Sequence, residues 1–300
     1  MAGPTLRQRA LRFLHDRPQL KAWALLAPGL GWLLVFFVVP LLLMFGYSFM
    51  PRNVYGGVDL GFTLENYARF FDPLYLGIVL KTTLYAIACT ALCLMFGYPV
   101  AYAIARAGRW RNFMIFLVML PFWTSFLVRM YAMMFLMRDS GLINKTLMDL
   151  GVIETGFEML STPFAVLAGL IFGFLPFMVL PIYASLEKLD LSLLEAAEVL
   201  GAPPASRFFR VTLPLSMPGV VAGSLLVFIP ALGSFLTSDV LGGAKEILVG
   251  NLVQNQFSSA RDWPFGSAAS FVMMALVLVA VSVYLRVRDA GDEMAKEAKS

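Results

Sequence analysis

Six apolar stretches, each long enough to cross a bilayer, constrain this chain more than any other feature. They run approximately Trp23–Phe49, Ile78–Ala105, Phe113–Phe135, Pro163–Tyr183, Pro218–Leu236 and Phe265–Leu285. The hydrocarbon core of a membrane takes about 20 residues of helix. No water is available there to satisfy backbone N–H and C=O groups, so a spanning segment must bond itself internally, as a helix does. The expected fold class is therefore all-α, a polytopic membrane protein of about six transmembrane helices. With 59% apolar and 14% charged residues, the chain lacks the polar surface that a water-soluble fold of this length needs. The first stretch follows Arg7, Arg9, Arg12, Arg17 and Lys21, as a cleaved leader would. Its apolar run far exceeds the roughly 7–15 residues of a leader core, and no small-residue cleavage pattern closes it, so it reads as a retained helix. The implied organisation is a tail over residues 1–22, a membrane domain over 23–285 and a second tail over 286–300.

Basic residues orient the spans. With both termini cytoplasmic, fifteen of the 23 Lys and Arg residues fall on the cytoplasmic side: the N-terminal five, Arg106, Arg109 and Arg111, then Lys188, Arg207 and Arg210, and finally Arg286, Arg288, Lys296 and Lys299. Seven (Arg52, Arg69, Lys81, Arg138, Lys145, Lys245, Arg261) fall outside, and Arg129 lies within the third span. The positive-inside bias thus places both ends in the cytoplasm. Several chemistries drop out. Cys89 and Cys93 stand four apart in an apolar run, a helical spacing suited to packing and wrong for a disulfide. The single histidine, His15, sits in the basic tail. There is no metal-ligand cluster and no G-x-x-x-x-G-K-[ST] phosphate loop, so no cofactor, metal or nucleotide is expected on this chain, and no catalysis.

Between the fourth and fifth stretches lies EAAEVLGAPPASRFFRVTLPLS, Glu195 to Ser216, within a cytoplasmic loop spanning about residues 185–216. Ser192 with Glu195 three residues on reads as a capping box, Gly201 as the helix stop, and Pro203–Pro204 as a bar to continuation. Such a helix is too short to be stable alone and needs something to pack against. Glu195 and Glu198 offer charge to a partner's basic rim, while Ala196 and Ala197 keep the surface shallow. A helix lying on the membrane surface is the competing reading of the same spacing.

These residues carry a resemblance. E-A-A at Glu195–Ala197, three residues, Gly201, nine residues, and V-T-L-P at Val211–Pro214 resemble the EAA signature of ABC-importer permeases, with Val211 where the pattern has isoleucine. The resemblance implies a MetI-like bundle, with five core helices and the first span outside them. It also implies a coupling helix, formed by Glu195, Ala196, Ala197, Gly201, Leu213 and Pro214, that docks on a cytosolic ATPase dimer where ATP and Mg bind. A second homologous permease and an extracytoplasmic substrate-binding protein complete the implied assembly, which has lipid but no nucleic acid as its other partner.

LPFWTSFLVRMYAMMF (Leu120–Phe135), GLINKTL (Gly141–Leu147), FIPALGSFLTSDVLGG (Phe228–Gly243) and ARDWPFGSA (Ala260–Ala268) are similar to the first-position permease of spermidine/putrescine importers. That subgroup usually carries an acid after PALG, where this chain has Ser234, and keeps a second acid, here Asp239. The implied substrate is a small organic cation, a polyamine, with opine or amino-acid import as the alternative. A secondary transporter or channel would call for Asp, Glu or His inside the spans, and they contain none.

Within the spans, Arg129 stands out, since a charge at mid-helix costs about 2.5–3.5 kcal/mol on insertion scales. It either lines a pathway or pairs with Asp239, or else it is a structural Arg bonded to backbone carbonyls of a neighbouring broken helix. Phe122, Trp123, Thr124 and Ser125, after Pro121, could line the pathway or simply face lipid and core. Pro176, Pro181 and Pro230 interrupt apolar runs. The pairs Gly169/Gly173 and Gly219/Gly223 mark close helix packing, either internal or against a second permease. DVLGGAKEILVGNLVQNQF reads as an extracytoplasmic turn and gate helix.

Overall fold

The computed structural model describes residues 18–297; the basic cluster Arg7–Arg17, His15 and Lys299 lie outside the described residues. Among these, the only β pairing is an isolated bridge between Arg52 and Val58. Thirteen helices follow in order. The first span comprises α1 (Pro18–Leu33), a π turn at Leu34–Val38 and α2 (Val39–Ser48). Short α3 (Glu65–Phe70) precedes α4 (Pro73–Arg106), a 34-residue second span. Next come α5 (Arg111–Met119), α6 (Phe126–Met137) and α7 (Leu142–Asp149), then α8 (Pro163–Glu187) as the fourth span. The connecting segment holds α9 (Leu191–Val199) and α10 (Pro204–Arg207), a π turn at Phe208–Thr212 leads into α11 (Leu213–Gly233), and α12 (Val249–Ser258) precedes α13 (Trp263–Glu297).

The third stretch is not one straight helix. Its helix tightens to a 3-10 turn at Leu120–Trp123, passes through extended Thr124 and Ser125, and restarts at Phe126, with a bend of 92° between the two arms. Pro121 has no N–H to bond back along the helix, so the α ladder lapses into the 3-10 turn there, with Leu120 still helical at φ −52°, ψ −42°. Pro176 and Pro181 behave differently, since α8 runs through both as a continuous 25-residue helix. The fifth span also begins earlier than the apolar run suggests: α10, the π turn and α11 form one 30-residue helix, Pro204–Gly233. Leu213 and Pro214 therefore sit in a span rather than in a loop.

The core is built around α8, which packs between α4 and α11. Cys89 and Cys93 are buried there as free thiols, among Leu170, Phe174, Met178, Val179 and Ile182. Both glycine pairs serve packing within the chain. A methyl group at Gly219 would lie 2.5 Å from the Pro181 carbonyl oxygen, and one at Gly223 would lie 3.1 Å from that of Met178, so α11 rests directly on the α8 backbone. Gly169 and Gly173 receive Leu241 and the Phe126 ring. Tyr98 on α4 shares a 2.8 Å hydrogen bond with Ser216 on α11. The first span stands outside this core: its apolar window is unburied, and α2 rests on α13 through Phe45 and Phe271, with ring centroids 5.1 Å apart.

Two alanine substitutions test the seam. Gly219→Ala should destabilise the detergent-solubilised protein by about 1–3 kcal/mol, because the obstructing atom is backbone. Gly77→Ala, where nothing lies within 4 Å, should be neutral or slightly stabilising. Thermal unfolding of both variants in one detergent checks the contrast.

Candidate functional site

Three features away from the core bear on function. The first is α9. Its N-cap is Asp190, whose carboxylate accepts the Ser192 N–H at 2.9 Å. The expected cap at Ser192 is thus displaced by two residues: Asp caps as well as Ser, and Ser192 and Glu195 fall inside the helix. Hydrogen bonds from the Ser192 backbone and hydroxyl hold Asp190 below the usual carboxylate range, so the cap is charged near neutrality and weakens only as acid protonates it. The stop at Gly201 stands as expected. With φ +77°, its N–H reaches Glu198 O (2.9 Å) while Ala202 N–H reaches Ala197 O (3.0 Å), the paired bonds of a Schellman motif. Glu198 is engaged within the chain, paired with Arg207 on α10, whereas Glu195 is exposed and has no ion-pair partner among the described residues. Past them, Val199 and Leu200 are 87% and 86% exposed. Phe208 in the π turn sets its ring edge-on to Tyr98 and Tyr102 of α4, at 5.6 and 5.9 Å, and Arg106 lies over Tyr102.

The second feature is the break before α6. Phe122 packs edge-on against Phe177 at 4.9 Å, Trp123 is 78% exposed, and Thr124 hydrogen-bonds back to the Pro121 carbonyl. Ser125 is the N-cap residue of α6 but gives it no side-chain cap. Arg129 makes neither of the contacts expected of it: among the described residues no ion pair joins it to Asp239, and its buried Nε and Nη1 have no hydrogen-bond partner. The guanidinium lies instead by the Phe122 and Phe126 rings, 5.3 and 5.4 Å from their centroids.

The third lies between α11 and α13. Ser234 pairs with Thr237 at 3.2 Å, and exposed Asp239, in a π turn at Ser238–Gly242, accepts from Asn251 on α12 at 3.2 Å. Glu246 is buried, and its Oε2 takes both Lys81 (2.6 Å) and Tyr85 (2.7 Å) from α4. Thr82 accepts the Val249 N–H at 3.0 Å, fastening the start of α12 to the same helix. Asp262, 1% exposed, accepts from Arg69 at 2.8 Å and caps α13 through the Phe265 N–H. Nearby, an open cleft of about 440 Å³ is lined by Arg138, Asp139, Glu158 and Lys245.

A family profile, the binding-protein-dependent transport system inner membrane component, matches residues 94–290. The chain belongs to this family. As a transport-system permease it is 44% identical over 257 residues to the spermidine/putrescine transport system permease protein PotB of Escherichia coli (strain K12), covering 85% of this chain and 94% of that one. The inner membrane ABC transporter permease protein YdcU of the same strain is 32% identical, with 90% of each chain covered. A chain in the crystal structure of a bacterial alginate ABC transporter, in complex with an alginate pentasaccharide-bound periplasmic protein, shares the fold: TM-score 0.68 at 20% identity, over 91% of this chain and 95% of that one.

Within the permease, the residues read from the sequence form separate groups. Glu195, Ala196, Ala197 and Gly201 share one capped helix, while Leu213 and Pro214 belong to the next span. Phe122 and Arg129 meet across the helix break, and Ser234 and Asp239 lie near α12. The sequence reading missed Glu246 with Lys81 and Tyr85, and Asp262 with Arg69. Lys81 carried the signal, being a charge within a spanning helix that requires a partner.

Two predictions follow from this geometry. Gly201→Val should cost about 1–2 kcal/mol through the left-handed backbone alone, read as faster hydrogen exchange confined to α9. Lys81→Met should lower stability by about 1–3 kcal/mol by stranding a buried carboxylate, and Glu246→Gln in that background should recover most of the loss, both read by thermal unfolding.

Proposed function

We propose that this permease carries small organic cations of the polyamine class across the inner membrane, driven by a cytosolic ATPase pair that docks on α9. The observation that carries the coupling role is the exposure of Val199 and Leu200 at the end of a helix stopped by Gly201. Apolar side chains so open on a short helix that is unstable by itself suit insertion into a partner's cleft. Glu195, without an ion-pair partner among the described residues, supplies a charge for that cleft's rim.

Movement of α9 reaches the membrane along a stiff route. The Glu198–Arg207 pair ties α9 to α10, and α10 belongs to the same 30-residue helix as the fifth span. Closure of the ATPase pair around ATP and Mg would draw the coupling helices of this chain and a second homologous permease together. The fifth span, seated on α8 at Gly219 and Gly223, would then move with it and open the pathway to an extracytoplasmic binding protein. In this reading both termini and α9 are cytoplasmic, and ATP hydrolysis belongs to the partner. The amine substrate is supported by the likeness to a spermidine/putrescine permease across 85% of this chain. Phe122, Trp123, Thr124, Ser125, Arg129, Ser234 and Asp239 are the candidate pathway residues.

ATP-dependent uptake of labelled putrescine and spermidine, in cells expressing this chain with its partner subunits, tests the reading. Glu195→Lys should abolish uptake while membrane insertion and yield stay normal. Wild-type uptake by that variant would refute the coupling role, and accumulation of an opine or amino acid in place of polyamines would move the substrate class.

A further inference from the structure

Arg129 takes no part in the coupling route, yet its surroundings are those of a binding group. It is 9% exposed, and Nε and Nη1 are buried without a hydrogen-bond partner. Its guanidinium lies by rings on either side of the helix break, Phe122 before it and Phe126 at the start of α6. The side chain is therefore aimed at the N-terminus of α6, a twelve-residue helix that Ser125 leaves without a side-chain cap. Orphan N–H groups and the positive end of the helix dipole converge there with a fixed positive charge.

Depth decides which anion can reach it. Phe126 stacks on Phe174 and Phe122 packs on Phe177, both near the middle of the 25-residue α8. At 1.5 Å per residue, the break lies about 15–21 Å from either end of that helix. Lipid headgroup phosphates are out of range at such a depth. A carboxylate remains: it is planar, matches the guanidinium fork, and can be carried into the membrane on another molecule. When it is absent, the two ring faces hold the cation, so the site can exchange its anion during a transport cycle.

We propose that Arg129 and the uncapped first turn of α6 form a carboxylate-binding site at mid-membrane, filled either by a transported solute or by an acidic side chain of the second permease. The inference rests on the reading above, in which solute passes along this chain beside a homologous subunit. Broken helices whose N-termini face an anionic group at the bilayer midplane are a recurrent transporter device.

The test uses the assembled complex and a matched pair of probes: putrescine, and 4-aminobutyrate, in which a carboxylate replaces one amine. If the solute supplies the carboxylate, 4-aminobutyrate raises the melting temperature of the purified complex at constant ionic strength, putrescine does not, and Arg129→Gln removes the shift. If the second permease supplies it, neither probe shifts the wild type. Arg129→Glu then lowers putrescine uptake about tenfold or more, and reversing one acidic residue of the second permease to Arg restores most of it. Uptake by Arg129→Glu within about twofold of wild type, with no carboxylate-specific shift, overturns the site; so does a loss that no reversal restores. Absence of putrescine uptake in the wild type, with a clear 4-aminobutyrate shift, would instead refute the polyamine reading and leave the site standing.

Discussion

The close seating of α11 on α8 is the constraint from which the rest of the bundle follows. Lipid tails are as apolar as leucine, so helices in a membrane gain little from hiding apolar surface and hold together by contact at short range. Gly219 and Gly223 let α11 reach the backbone carbonyls of Pro181 and Met178. With that distance fixed, Tyr98 on α4 can meet Ser216, and Phe208 can lie edge-on to Tyr98 and Tyr102. The same seating lines up the N-terminal extension of α11, through the π turn and α10, with the end of α4.

Polar contacts do a different job at the other end of the bundle. Glu246 with Lys81 and Tyr85, and Asp262 with Arg69, fasten loops and short helices to long spans. Each joins elements far apart in sequence, 161 residues for Tyr85 and Glu246 and 193 for Arg69 and Asp262. Buried ion pairs add modest net stability but are costly to break singly. They thus hold α12 and the start of α13 in one register against α4 and α3.

How much of this was legible in the sequence varied with the physics behind each feature. Hydrocarbon thickness sets a length, so five of the six spans could be placed from apolar runs alone, although the fifth begins well before its apolar run, at Pro204 rather than Pro218. The positive φ of Gly201 was equally readable, because a glycine followed by paired prolines ends a helix in few other ways. The bend in the third stretch was not readable: its helix gives way just after the 3-10 turn that holds Pro121, whereas Pro176 and Pro181 leave α8 continuous. A proline removes one backbone hydrogen bond in all three places, so the residue alone does not tell a bend from a continuous helix. The cap at Asp190 was missed because Asp and Ser are near equals, so that the choice depends on where the preceding span ends. Lys81 was counted with the outer side because it stands only three residues into the expected span, whereas α4 begins at Pro73 and carries it about two turns in; its partner lies too far along the chain for any local pattern to reveal.

The π turn at Phe208–Thr212 sets the rotational phase of the helix beyond it. A π turn holds one residue more than the α repeat, so its conversion to α geometry would rotate the helix beyond it by about 100° and advance it by about 1.5 Å. Because that turn joins α10 to α11 without interruption, a small displacement at the surface can arrive in the bilayer as torsion. Rotation changes which side chains face a pathway while leaving each at its own depth, so a re-faced helix could exchange its lining without sliding through lipid.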